Sequence, residues 1–206
     1  MKLLNYNNIL CISAHPDDAE YGMLGTIIKH LDTTFHMVCL GHGGEHDDST
    51  GPARSRELWE IWNAVDNMQG YEPPFSIVDT VSESTLINYI ESNINTQYDC
   101  VMIPPITDTH FEHRKLHDVG MALVRKNRAA VIEYKTPSTL NTWIPNLYVD
   151  IGTQLPVKVL LLQNFLTQTT SFYFEDSTIS AFHIDYQCKK RGIDNVESFK
   201  ILSSYI

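Results

Sequence analysis

The chain has 206 residues, enough for one domain and for two only if both are small. Hydrophobic residues make up 43% and charged residues 19%, an ordinary balance for a soluble globular protein whose core needs no disulfide staples. The formal net charge of −10 sets the chain against nucleic acid as a partner, and no apolar run reaches membrane-spanning length.

In chain order, Asn8–Ser13 (NILCIS) reads as a short buried strand, followed by a polar loop and a helix over Met23–Leu31. Thr34–Leu40 reads as a second strand, and a Gly- and His-rich loop runs from Gly41 to Gly51. Ala53–Met68 has helical spacing, with Leu58, Ile61, Trp62 and Val65 on one face. Phe75–Val78 is a candidate third strand and Glu83–Asn95 a helix. Asp99–Ile103 is a strand stopped by Pro104 and Pro105, and Glu112–Lys126 a helix. Ala129–Glu133 and Leu147–Ile151 read as strands, with helices over Val157–Thr167 and Ile179–Lys190. Strands alternating with helices predict an α/β fold: a Rossmann-like single domain over residues 1–206, with a mainly parallel sheet flanked by helices.

Cys11, Cys39 and Cys100 fall inside apolar, strand-like runs, and no CxxC pair involves them or Cys188, so core packing is the expectation. Met1–Asn8 is polar and lacks the apolar stretch of a secretory signal, and a cytoplasmic location is expected.

In open α/β sheets, ligands bind beyond the carboxyl ends of the strands. Three loops in that position carry unusual chemistry: His15–Glu20, Gly41–Asp48 and Thr107–His113. Imidazole nitrogen and carboxylate oxygen are ordinary zinc ligands, so His15 and Asp18 are candidates to share one ion, with Asp17 beside it to act on water. Asp18 and Asp17 are equally suited to capping a helix start, so this pair is weak evidence alone. The second cluster, Asp108-Thr109-His110-Phe111-Glu112-His113-Arg114, supplies His113 as a third ligand. Three protein ligands leave an open position, which marks catalytic rather than structural zinc. Glu112 and Asp108 are candidate acceptors that orient a histidine ring.

The segment Ala14-His15-Pro16-Asp17-Asp18-Ala19-Glu20, with Gly22 and Gly25-Thr26, resembles the signature of the PIG-L/LmbE family of zinc-dependent N-deacetylases. Residues Asp108 to Arg114 resemble that family's second motif, with Glu112 where Asp is common. Weaker similarities continue through Arg54 and Glu57, Glu133-Tyr134, Pro137-Ser138-Thr139, Pro145-Asn146, Asp150-Ile151, Lys158, Thr167-Gln168, Arg191-Gly192 and Glu197–Phe199. Thr167 stands where Ser is common, and the loop from Gly41 to His46 is richer in histidine than the usual Gly-Glu pattern.

The resemblance implies a hydrolase that removes an N-acyl group, foremost N-acetyl, from a small-molecule amino-sugar derivative. Zinc, with Fe²⁺ as an alternative for the same ligands, would be held by His15, Asp18 and His113. Asp17 is expected as general base and His110 as the group that stabilises the oxyanion and protonates the leaving amine. Glu112 is expected to hold His110 or its neighbours. Arg54 is a candidate for a sugar hydroxyl or phosphate, and Glu45 for sugar hydroxyls. His42, His46 and Trp143 are candidates to border the pocket. A homo-oligomer is left open. The rival readings are an amidase on a non-sugar or thiol-conjugate substrate, and a non-catalytic metal- or nucleotide-binding module. Gly22 and Gly25 do not form the dinucleotide fingerprint, and the first loop is acidic, which disfavours phosphate.

Overall fold

A computed structural model describes residues 5–43, 50–71 and 73–203. Their backbone forms, in chain order, β1 (Asn8–Ser13), α1 (Asp18–Lys29), β2 (Thr34–Cys39), α2 (Gly51–Asn63), β3 (Met68–Tyr71), α3 (Glu83–Asn93), β4 (Cys100–Ile103) and α4 (Phe111–Asn127). There follow β5 (Ala130–Tyr134), β6 (Leu147–Asp150), α5 (Leu155–Leu162), α6 (Asp176–Phe182), α7 (Tyr186–Lys189) and β7 (Val196–Ser203). One-turn 3₁₀ helices lie at Leu166–Gln168 and Phe172–Phe174. The strands form one sheet in the order β3-β2-β1-β4-β5-β7-β6. The first five are parallel, and β7 pairs antiparallel with both β5 and β6. This is the α/β arrangement that the alternation of elements predicts.

Residues of β1 alternate between two cores. Ile9 and Cys11 face the core shared with α1, α2 and α5, whereas Leu10 and Ile12 face the one shared with α3 and α4. A strand buried on both faces must be apolar at every position, which is why NILCIS reads as a continuous run. The chain leaves β1 toward β2 on one side and toward β4 on the other, so the strand order reverses between β1 and β4. The crevice at such a reversal is where open α/β sheets bind ligands. The loops after β1 and β4, which carry the histidines and acids, both open there.

Four sequence expectations are corrected. Phe75–Val78 is not a strand: Phe75 makes an isolated bridge to Gly41, and the edge strand is Met68–Tyr71. That strand (MQGY) is only partly buried, so it lacks an apolar run. The helix expected to continue to Met68 ends at Asn63. The helices expected over Val157–Thr167 and Ile179–Lys190 are each broken into shorter pieces. Finally, β7 was not anticipated, since its exposed side mixes polar and apolar residues. All four cysteines are unbonded and buried.

Helix α1 carries the first site motif and is buried from Asp18 to Ile27. Its middle turn is tied to the C-terminal part of the chain through an ion pair. Lys158 Nζ lies 2.6 Å from Glu197 Oε1, and both side chains are fully buried. Lys158 also donates to the Tyr21 carbonyl at 2.5 Å, while Glu197 accepts the backbone N–H groups of Gly25 at 2.8 Å and Thr26 at 2.6 Å. Glycine at 25 eases this approach, because a Cβ there would sit 3.1 Å from Glu197 Oε1 and 3.0 Å from Ile151 Cγ2. Replacing one partner strands a buried charge. Lys158→Met should therefore lower unfolding stability by ~3–5 kcal/mol, and Lys158→Met with Glu197→Gln by clearly less; chemical denaturation of the three proteins measures both.

Candidate metal and catalytic site

The strand β1 ends at Ser13, and Pro16 turns the chain into α1. Asp17 caps that helix with a left-handed backbone, φ 102°. A non-glycine residue there stores strain of ~1–3 kcal/mol, a cost that clusters at functional sites. Buried Glu20 holds the turn: its carboxylate accepts the Asp17 N–H at 3.2 Å and the Trp62 indole N–H at 2.7 Å. Burial pushes the Glu20 carboxyl up to about 7.

Facing α1 across the crevice, Asp108 fixes the start of α4. It accepts the His110 backbone N–H at 2.8 Å and the Thr136 hydroxyl at 2.5 Å, and Arg114 braces the same loop through the carbonyls of Asp108 and Thr109. His110 is the N-cap residue of α4, so His113 follows it by one turn on the same face. The rings of His110 and His113 stack with centroids 4.8 Å apart, and the His15 ring meets His110 edge-on at 4.7 Å.

The far nitrogen of each outer ring is held by a buried acid. His15 Nε2 lies 2.5 Å from Glu112 Oε2, and His113 Nδ1 lies 3.2 Å from Asp108 Oδ2. This leaves His15 Nδ1 at 3.4 Å and His113 Nε2 at 3.1 Å from the same oxygen, Asp18 Oδ2. His113 Nε2 is buried, and its angles to Asp18 are too poor for a hydrogen bond. Asp18 Oδ2 also accepts the His15 backbone N–H at 2.8 Å. Two imidazole nitrogens and a carboxylate oxygen thus converge, one of the nitrogens buried without a hydrogen bond, and the donor set fits a divalent cation. A second combination is also close: one nitrogen from each of His15, His110 and His113 lies within 4.8 Å of the others. We favour Asp18 over His110 in the ligand set because Asp18 Oδ2 bridges both oriented nitrogens.

Electrostatics follow this packing. Burial works against the charged form of Asp18, but the attraction of His113 and His15 outweighs it and holds its carboxyl well below the usual range. Burial likewise disfavours a charged His113, yet Asp18 and Asp108 pull it up to about 9. Burial pushes the Asp17 carboxyl up, Arg54 opposes that, and Asp18 adds to it.

Asp17, Asp18, His15, His110 and His113 line a cavity of about 460 Å³, within the ~300–1,000 Å³ of small-molecule sites. The remaining expected residues are placed differently. Glu112 is fully buried and lies outside the cavity lining; it contacts His15 rather than His110 and accepts the Asp79 N–H, so it positions a ring instead of touching substrate. Arg54 lines the cavity, but its guanidinium is engaged by Asp17 at 2.5 Å and by the Gly43 carbonyl at 3.1 Å. Gly43 has φ 68°, and a Cβ there would fall 2.4 Å from Arg54, so only glycine fits beside that guanidinium. His42 turns to the Ser55 hydroxyl at 2.8 Å, and Trp143 donates to buried Glu133; neither lines the cavity. Glu45 and His46 lie outside the described residues.

Sequence reasoning assigned no role to Tyr21, Pro137, Ser138, Gln168, Ser171, Tyr173 or Phe174, all of which line the cavity. The run Phe172-Tyr173-Phe174 after a stretch of Thr, Gln and Ser was the available signal.

Several known proteins share this architecture. The chain superimposes on N,N'-diacetylchitobiose deacetylase from Pyrococcus horikoshii, solved with its inhibitor MPG, with a TM-score of 0.76 and 20% identity over 97% of this chain and 85% of that one. The 4-carboxy-2-hydroxymuconate hydratase of Pseudomonas putida KT2440 gives a TM-score of 0.77 at 14% identity, over 97% and 98% of the two chains. The zinc-inhibited form of teicoplanin deacetylase gives 0.71 at 9%, over 95% and 97%. At such identities the likeness is one of fold, and the fold serves a hydratase as well as deacetylases. No curated protein sequence matches significantly. The sequence model of the PIG-L family, described as GlcNAc-PI de-N-acetylase, matches residues 10–124 and so takes in every cavity residue on α1, α2 and α4. With more than half of its length matched, the chain belongs to the PIG-L family.

Proposed function

We propose that this protein is a metal-dependent N-deacylase, acting foremost on the N-acetyl group of an amino-sugar derivative. The observation that carries this reading is the pairing of Asp17 with the convergent nitrogens and oxygen of His15, His113 and Asp18 in one cavity. Family membership supports deacylation over the hydratase chemistry that the same fold hosts elsewhere.

His15, Asp18 and His113 would hold the ion, zinc or iron(II). When bound, it supplies Lewis acidity toward the acyl carbonyl and the attacking water. Asp17 stands beside that point as the proton acceptor, and Arg54 orients its carboxylate. The water oxygen bonds to the acyl carbon, and its proton passes to Asp17. His110, stacked on His113 and facing the cavity, stabilises the charge that develops on the acyl oxygen. The C–N bond then breaks, and the departing nitrogen takes a proton from His110. Glu112 and Asp108 keep the two ligand rings turned inward.

The direct experiment loads the purified protein with zinc or iron(II) and measures free-amine release from a panel of N-acetylated sugars, glycosides and sugar nucleotides. Release from none of them would overturn the reading. Asp17→Asn should cut release by ~10²–10⁴-fold with the metal content unchanged; a bound metal with unaltered activity would instead favour a different base. His110→Ala should lower turnover by ~10²–10³-fold and retain the metal, whereas loss of metal would move His110 into the ligand set. Glu112→Gln should weaken metal affinity by ~10–100-fold, read by competition with a chromogenic chelator.

A further inference from the structure

The cavity has two walls of different chemistry. One carries the histidines and acids. The other is lined by Gln168, Ser171, Tyr173 and Phe174, and the hydrolytic roles above make no use of it. This second wall is nonetheless held at both ends. Glu57 accepts the Thr167 N–H at 3.0 Å and the Thr167 hydroxyl at 2.6 Å. Tyr21 donates its hydroxyl to the Tyr173 carbonyl at 2.9 Å and packs edge-on against Phe174 at 5.9 Å. Glu57 follows Arg54 by three residues on α2, and Tyr21 follows Asp18 by three on α1. One turn of each helix therefore spans from the acidic wall to the other.

The lining of the second wall consists of an amide (Gln168), a hydroxyl (Ser171) and aromatic rings (Tyr173, Phe174). Tyr173 is 38% exposed and pairs with the Phe172 ring at 3.9 Å, so a large aromatic surface stands at the cavity in contact with solvent. No lysine or arginine belongs to this wall. Among the described residues that line the cavity, Arg54 is the one such cation, and it is engaged by Asp17. A phosphate group needs a fork of charged donors or a free ammonium, and this wall provides neither. A pyranose needs an apolar platform for its C–H face and a few polar groups for its hydroxyls.

We propose that residues 168–174 form the subsite for the sugar ring, with Tyr173 as platform and Gln168 and Ser171 on hydroxyls, and that the occupant is an uncharged glycoside. The placement of the acyl group against the opposite wall rests on the deacylase reading. The test uses Asp17→Asn protein, which binds without turnover, and calorimetry with methyl N-acetyl-glucosaminide and with uridine-diphosphate N-acetylglucosamine. Adding Tyr173→Ala should weaken glycoside binding about tenfold, Tyr173→Phe should restore it, and Gln168→Ala should weaken it less. The nucleotide form should bind no tighter than the glycoside. Unchanged affinity in Tyr173→Ala, or nucleotide binding at least about tenfold tighter, would overturn the subsite. Turnover separates this from the deacylase reading. In the metal-loaded wild type background, Tyr173→Ala should raise KM about tenfold with kcat nearly unchanged. Amine release with a KM insensitive to Tyr173 removes the subsite and keeps the reaction. Tyr173-dependent glycoside binding without amine release does the reverse.

Discussion

Two imidazoles can turn lone pairs toward one point only if their other nitrogens are fixed, and here buried carboxylates fix them. Glu112 holds His15 and Asp108 holds His113. Each acid is itself anchored by the backbone or a hydroxyl: Glu112 by the Asp79 N–H, Asp108 by the His110 N–H and Thr136. Side chains tied at this many points have few rotamers left, so the convergence is built before any ion or substrate arrives. The rest of the molecule serves this arrangement. The sheet reversal between β1 and β4 brings the two motifs face to face, and the starts of α1 and α4 set their spacing.

That His15, Asp17, Asp18, His110 and His113 would come together was legible in the sequence because each motif is local. His15, Asp17 and Asp18 span four positions, and His110 and His113 one helical turn, so spacing alone constrains their geometry. The parallel strands were legible for a similar reason, since a strand buried on both faces has nowhere to hide a polar residue. What escaped was non-local or edge structure. Glu112 was expected to hold His110 or a neighbouring group, and which ring it takes was not readable: the start of α4 sends it to His15, 97 residues distant. Arg54, a candidate for substrate contact, does line the cavity, but its engagement with Asp17 depends on how α2 docks, which no local pattern encodes. The edge strand β3 and the antiparallel β7 lack the burial that produces a readable hydrophobic period. The second cavity wall comes from irregular chain, where neither period exists.

Helix α2 emerges as a tie rather than a simple covering layer. Leu58, Ile61 and Trp62 bury one face, and Trp62 reaches the acid that holds the strained turn at Asp17. Arg54 and Glu57 project from its first turns to opposite walls of the cavity. A small shift of this one helix would alter the orientation of Asp17 and the position of residues 166–168 together.

In an α-helix, the Tyr21 carbonyl and the Gly25 N–H are each other's ordinary partners. Here Lys158 also reaches the first and Glu197 the second, so side chains from α5 and β7 add buried bonds to this turn of α1. This has a consequence for synthesis on the ribosome. The donor atoms that converge in the cavity all belong to residues before 114, yet the buried ion pair that braces the helix starting at Asp18 is incomplete until residue 197 has left the exit tunnel. A nascent chain truncated after α4 would carry all of these donors and still lack the brace that ties α1 to α5 and β7. A chain that has passed α5 but not reached residue 197 therefore holds these donors while the lysine that braces α1 lacks its counter-charge.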